Sequence, residues 1–141
     1  MVTPVVAEQE EDIFMKREAI STSKAPAAIG PYSQAIAAGD FVFISGQIGL
    51  DPATGKLISP DFELQAKQTL ENLRQIVLAA GCQMNQLVSV DVFLSNLGNF
   101  SKFNEIYSEF FTAPYPARAA VEVGNLPKGS CVEIKAILFK G

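Results

Sequence analysis

The chain has no histidine. Proton transfer near neutral pH therefore falls to a carboxylate, a tyrosine, a cysteine, a lysine or water. A serine–histidine triad is ruled out, because no imidazole is available to activate a hydroxyl. Cysteine is scarce too. Cys82 and Cys131 stand alone, with no Cys-x-x-Cys partner. They make no disulfide framework and point to a cytoplasmic protein with reduced thiols. Neither has an evident activating cation, so both read as inert. A zinc or copper site would have almost no ligands to draw on. No apolar run approaches the length of a membrane span, and no basic segment precedes an apolar stretch as in a secretory signal. GLDPATG (49–55) lacks the Gly-x-x-x-x-Gly-Lys-Ser/Thr pattern of a phosphate loop, so no nucleotide is implied.

Charge is thin as well. Only 18% of residues are charged and 48% are hydrophobic. A chain of 141 residues fits one domain with a sizeable core. So little charge leaves apolar surface to be covered by self-association. The net charge of −4 comes from one end. Residues 1–14 hold Glu8, Glu10, Glu11 and Asp12 and no basic side chain; the other eleven acids balance eleven Lys and Arg. The neutral body shows no basic stripe for nucleic acid. The acidic segment lacks periodicity and reads as a disordered tail, whether a native extension, a misassigned start or a cloning remnant. The folded domain is expected over 15–141, and truncation of 1–14 is expected to spare it.

Residues 16–22 suit a short strand. YSQAIAA (32–38) and FVFISGQI (41–48) are apolar runs joined by Gly39-Asp40, a hairpin signal. In the second run Phe41, Phe43, Ser45 and Gln47 share one face, and Val42, Ile44 and Ile48 the other. DPATGK (51–56) is a turn. A helix is predicted from about Pro60 to Ala80. Ser59 would be its N-cap, Ala66, Leu70, Leu73, Val77 and Ala80 its apolar stripe, and Gly81 its end. VSVDVFL (88–94) alternates as a strand. Asn99 would cap a second helix reaching Thr112, with Phe100, Phe103, Tyr107 and Phe110 inward. A strand through Arg118, a turn at 126–130 and VEIKAILF (132–139) close the chain.

The order predicts an α+β domain with a mixed sheet and two helices on one face. Alternation places Val42, Ile44, Val90, Val92, Ala119, Val121, Ile134 and Ala136 under the helices. It leaves Phe43, Ser45, Asp91, Phe93, Arg118, Glu122, Glu133 and Ile137 on the other face. That face mixes large apolar groups with charge, which suits a subunit interface with polar clefts. Arg118, in TAPYPARAAVEV (112–123), is the most informative residue. Its planar fork matches a carboxylate held by two parallel hydrogen bonds. The bland alternative is an ion pair with Glu122 or Glu133. Glu133 suits a general acid/base or a water-positioning group, within reach of Arg118 if the last two strands form a hairpin. Its alternative is a plain interface ion pair. Tyr32, after Gly30-Pro31, could present its hydroxyl to a ligand or simply begin a strand. Ser45-Gly46 allows close backbone approach, or marks a bulge. Asn104 could reach a ligand from the second helix, or be merely solvated.

Four motifs then combine in order: APAAIGPYSQA (25–35), SGQIGLDPATG (45–55), YPARAAVEV (115–123) and LPKGSCVEIKAI (126–137). Together they resemble the Rid family, the YjgF/RidA reactive-intermediate deaminases, from about Met15 to Gly141. The resemblance implies a chorismate-mutase-like fold in a homotrimer, with helices outside and clefts between neighbouring subunits. It implies hydrolysis of 2-iminobutanoate and 2-iminopropanoate to 2-oxo acids and ammonia, without a cofactor or metal. It places the carboxylate-binding arginine on Arg118 and the catalytic glutamate on Glu133. Tyr32, Ser45, Gly46 and Asn104 become substrate-binding residues. Some bacterial members carry a cysteine two residues after the arginine; here Ala120 stands there, which excludes thiol chemistry at that point. Rival readings are a non-catalytic carboxylate-binding or regulatory trimer, a ribonuclease or translation inhibitor, and a chaperone-like holdase.

Overall fold

The computed structural model describes residues 16–141. The acidic segment 1–14, and the expectation that it is a disordered tail, lies outside them. Six strands form one sheet: β1 (Arg17–Ile20), β2 (Ala35–Ala38), β3 (Phe41–Gln47), β4 (Leu87–Leu94), β5 (Ala117–Glu122) and β6 (Val132–Phe139). Two helices, α1 (Phe62–Ala79) and α2 (Phe100–Tyr107), complete the fold. The strand order is β1-β2-β3-β6-β4-β5. β2 and β3 form the predicted hairpin, with Ala38 opposite Phe41 and Gly39 at φ 60° in the turn. Such a φ suits glycine. β6 runs antiparallel to both β3 and β4. β4 and β5 run parallel, with α2 in their crossover.

Both helices cover one face, as the element order predicts. Val42, Ile44, Val90, Val92, Ile134 and Ala136 are buried beneath them, against Leu70, Leu73, Ile76, Val77 and Phe103. Burying the Val, Leu, Ile and Phe side chains contributes roughly 1.5–3 kcal/mol each before the entropy of ordering them is counted. The opposite face is open. Phe41, Phe43, Val121 and Phe139 lie 42–49% exposed on it, and the Phe41 and Phe139 rings meet at 5.3 Å.

The structure departs from the sequence reading at several points. The N-cap of α1 is Asp61, not Ser59: Asp61 Oδ2 accepts from the Leu64 N–H at 3.0 Å. A carboxylate both satisfies that amide and complements the helix dipole. Ser59 Oγ instead accepts from the Asp61 N–H. Asn99 precedes α2 but its side chain caps nothing; Asn96 caps the preceding turn by accepting from the Gly98 N–H. α2 ends at Tyr107, short of Thr112, and Phe111 rather than Phe110 is buried. In β3 a bulge intervenes: Ile44 faces Ala136, yet Gln47 faces Ile134. The extra residue turns Gln47 away from its Phe41/Phe43 face and into the interior.

The largest correction concerns β5. In the parallel register Arg118 is level with Val90, Ala120 with Val92 and Glu122 with Leu94. Arg118 and Glu122 therefore lie on the helix side, and Ala119 and Val121 on the open face, the reverse of the expected parity. Ala120 packs against the core accordingly. The last two strands form no hairpin, because β4 separates them.

Polar side chains of α1 anchor the long segment between β3 and the helix. Asn72 is fully buried and donates to the carbonyls of Ile48 and Leu50 at 3.0 and 2.9 Å, while accepting from Gln68. Gln65 donates to the Ser59 carbonyl and accepts from the Cys131 N–H, tying this segment to β6. Asn72→Ala leaves two carbonyls short of a donor, a cost of about 2 kcal/mol. A melting temperature lowered by roughly 5–10 °C is the expected outcome in a thermal unfolding scan. An unchanged melting temperature would remove this anchor from the account.

Candidate active site

Four of the six candidate residues line one cleft of about 650 Å³ on the open side: Tyr32, Ser45, Gly46 and Glu133. The loop before β2 delivers Tyr32. Gly30 takes φ 113°, a conformation open to glycine, and the Tyr32 N–H returns to the Gly30 carbonyl at 2.9 Å. Tyr32 stays half-exposed and its hydroxyl accepts from the Ile29 N–H at 3.4 Å. The loop is fixed by Gln34, which sequence reasoning missed. Its buried amide accepts from the Thr22 N–H and donates to the carbonyls of Thr22 and Pro26 at 3.1 and 2.7 Å. The only sequence signal is a lone glutamine inside an apolar strand, where each polar atom must find a partner.

Ser45 has its donors committed. Its Oγ donates to the Ser33 carbonyl at 2.6 Å and its N–H to the Gln34 carbonyl at 3.0 Å. The Ser45 amide is thus not free to hold a ligand oxygen, though its hydroxyl oxygen can still accept. Gly46 leaves room for the neighbouring carboxylate: a Cβ built there collides with Glu133 Oε2. Glu133 stands on β6 opposite Phe93, half-buried, and burial pushes its carboxyl above the usual carboxylate range. Lys128, also unforeseen, lines the cleft with φ 57° and donates through Nζ to the Gly55 carbonyl at 3.0 Å.

The other two candidates sit elsewhere. Asn104 and Arg118 line a second cleft of about 420 Å³ with Tyr107, Ser108, Tyr115 and Pro116. Arg118 forms no ion pair among the described residues. Its guanidinium lies over the rings of Phe100 and Tyr107, 5.4 and 4.8 Å from their centroids. Glu122, the cross-strand alternative for it, instead accepts from the Leu97 N–H at 2.8 Å. Glu133 faces away. Register puts it level with Val121, three residues beyond Arg118, and two strands across. Strand geometry makes that about 14 Å between backbones, with side chains on opposite faces. Neither cysteine joins either cleft, and burial pushes the Cys131 thiol upward, away from reactivity.

Comparison with known proteins places this geometry in a family. The family model described as "Endoribonuclease L-PSP" matches residues 22–139. The human protein named 2-iminobutanoate/2-iminopropanoate deaminase is 48% identical over 125 residues, covering 89% of this chain and 91% of that one. The crystal structure of RidA from the Antarctic bacterium Psychrobacter sp. is 48% identical with a TM-score of 0.84, covering 86% of this chain and 98% of that one. The structure of E. coli TdcF with bound serine is 42% identical, also at a TM-score of 0.84, covering 88% and 99%. The family model spans most of the chain, and relatives nearly half identical match along almost their full length: the chain belongs to the YjgF/RidA family.

Proposed function

We propose that the chain is a hydrolytic deaminase of 2-imino acids, acting on 2-iminobutanoate and 2-iminopropanoate in a cytoplasmic homotrimer with its sites between subunits. The observation that carries this reading is the division of the candidate residues. Asn104 and Arg118 lie on the helix side of the sheet edge, and Tyr32, Ser45, Gly46 and Glu133 on the opposite side. A four-carbon imino acid is roughly 5 Å long. One chain cannot hold its carboxylate on Arg118 and offer its C=N carbon to Glu133. A second copy brought against the first can. The exposed Phe41, Phe43, Val121 and Phe139 supply an apolar face for that contact. The human relative is named for this activity, and the solved structure of E. coli TdcF holds a bound serine.

The chemistry follows from the groups at hand. Arg118 holds the substrate carboxylate by two charge-assisted hydrogen bonds and fixes the C=N carbon. Glu133 takes a proton from a water as the oxygen bonds to that carbon, giving a carbinolamine. With the imine nitrogen protonated at the start, the same carboxyl gives its proton to the carbinolamine nitrogen and takes the hydroxyl proton as the C=O forms and the C–N bond breaks, and ammonia and the 2-oxo acid leave. A glutamate with a raised pKa both accepts and returns a proton more readily near neutrality. Tyr32, Ser45 and the Gly46 backbone line the pocket, and Asn104 contacts the ligand beside Arg118. No cofactor or metal enters these steps. The acidic segment 1–14 is dispensable in this scheme, since all six residues fall within the matched region.

The test is direct: purified protein is added to an amino-acid dehydratase that releases imine, and ammonia formation is followed. Acceleration over the dehydratase alone supports the deaminase. No acceleration, with small carboxylates still bound, would favour a non-catalytic trimer. The family model's description keeps ribonuclease activity as the rival reading. A charge-neutral body without histidine fits it poorly.

Two outcomes check the roles. Arg118→Ala lowers kcat/KM for imine hydrolysis about 30- to 1000-fold, the loss of about 2–4 kcal/mol of binding, with the oligomer intact. Arg118→Lys is also poor, because an ammonium lacks the two-bond fork. A dissociated oligomer with normal turnover per intact assembly would instead make Arg118 an interface residue. Glu133 sets the acid limb of the pH–rate profile. Its folded pKa is raised, so activity is held above that value and falls as pH drops through it, above the usual glutamate range. Glu133→Gln removes both the limb and most of the rate. A profile with the same limb in Glu133→Gln would assign it to another group.

A further inference from the structure

We propose that Tyr107 and Phe100 form an aromatic seat that holds the Arg118 guanidinium in place of a carboxylate, and that Tyr107 is the positioning residue for substrate-carboxylate capture. The inference rests on the reading of Arg118 as the substrate clamp.

A clamping arginine has two conflicting needs. It must be held in one orientation, yet its N–H fork must stay free. A protein carboxylate would satisfy the first need by occupying the fork. An aromatic face attracts the cation through its quadrupole and leaves the in-plane N–H groups available. Arg118 has the second kind of support. Among the described residues it has no ion-pair partner, while two rings lie beneath it at 4.8 and 5.4 Å. The Tyr107 ring is itself immobilised. It is 5% exposed, Phe111 stacks on it at 4.2 Å, and Phe103 meets it at 5.6 Å. One ring face cannot hold Phe111 and a guanidinium at these distances, so the two take opposite faces. The result is a short stack from the interior out to the cleft: Phe111, Tyr107, Arg118.

The hydroxyl takes no part in the stack. It is buried with no hydrogen-bond partner among the described residues. Burial pushes its pKa up to about 12, against the opposing pull of Arg118, so the ring stays neutral at any working pH. The working part of Tyr107 is therefore its face. Phe in its place keeps the seat and removes an orphaned polar group, which costs the fold when unpaired.

The experiment titrates the full chain, in its native assembly, with 2-oxobutanoate, the product of the proposed reaction. Imine turnover and melting temperature are measured on the same samples. Tyr107→Phe, which keeps the ring face, is expected to lose clearly less affinity and kcat/KM than Tyr107→Leu and to melt at the same or a higher temperature. Tyr107→Leu is expected to weaken binding roughly three- to thirty-fold and to raise KM more than it lowers kcat. Added to Arg118→Ala, it should cost no further affinity, because the seat acts only through the arginine. Should Tyr107→Leu fail to fold, Phe100→Leu, at the half-buried ring, should show a smaller loss of the same kind. Wild-type affinity in a folded Tyr107→Leu or Phe100→Leu assembly overturns the seat. So does an equal loss in Tyr107→Phe, which would put the hydroxyl to work, or an additive loss on the Arg118→Ala background. If Arg118→Ala itself binds as wild type does, the clamp reading fails first and takes the seat with it.

Discussion

Everything about the site follows from the parallel pairing of β5 with β4. Parallel neighbours need a crossover, and α2 supplies it. That one connection sets Arg118 level with Val90, on the helix side, and brings the α2 rings under its guanidinium. It also leaves β6 free to enter the sheet between β3 and β4, where Glu133 meets the Gly46 bulge on the opposite side. A hairpin of β5 with β6 would have joined arginine and glutamate in one chain. The observed order separates them, and in the proposed function a second copy of the chain supplies the missing half.

The two half-sites are built in different ways. The glutamate half is a backbone construction: a bulge, a glycine without a Cβ, and a loop held by the Gln34 amide. Its acid is tuned by burial alone. The arginine half is a side-chain construction, a cation on aromatic faces beside Asn104. The first half has the means to manage a proton and the second the means to hold a charge. Hydrolysis of an imino acid needs both at a separation of a few ångströms, which a subunit interface provides when two complementary edges meet.

Much of this was legible in the sequence. Apolar alternation in 41–48, 88–94 and 132–139 marks the strands, and the stripe in 62–79 marks the long helix. Gly39-Asp40 marks the hairpin, and the four motifs mark the family. The failures have local causes. Ser45-Gly46 marks the bulge that the structure shows, but simple alternation takes no account of it, so Gln47 is put on the wrong face. Ser59, Asp61, Asn96 and Asn99 are all competent caps, and side-chain reach chooses among them. The parity of β5 is the most instructive error. Ala117 to Glu122 carries little apolar contrast, so pattern alone does not fix its face. The parallel register to β4 does, and no short stretch of sequence encodes that register. Gln34 goes unread, and Tyr107 is read only as inward, for a similar reason, since their further roles depend on what the fold places beside them.

The central claim is that each active site takes Arg118 from one copy and Glu133 from another. The measurement is complementation between two inactive variants. Arg118→Ala and Glu133→Gln chains are purified, unfolded together at equal amounts, refolded as mixed assemblies and assayed for imine hydrolysis. If the site spans two chains, random mixing restores both groups to about a quarter of the sites, and activity reappears at about that fraction of wild type. Separately refolded variants, combined without exchange, stay inactive. Mixed assemblies no more active than their parents would contradict the claim and return the chemistry to a single chain.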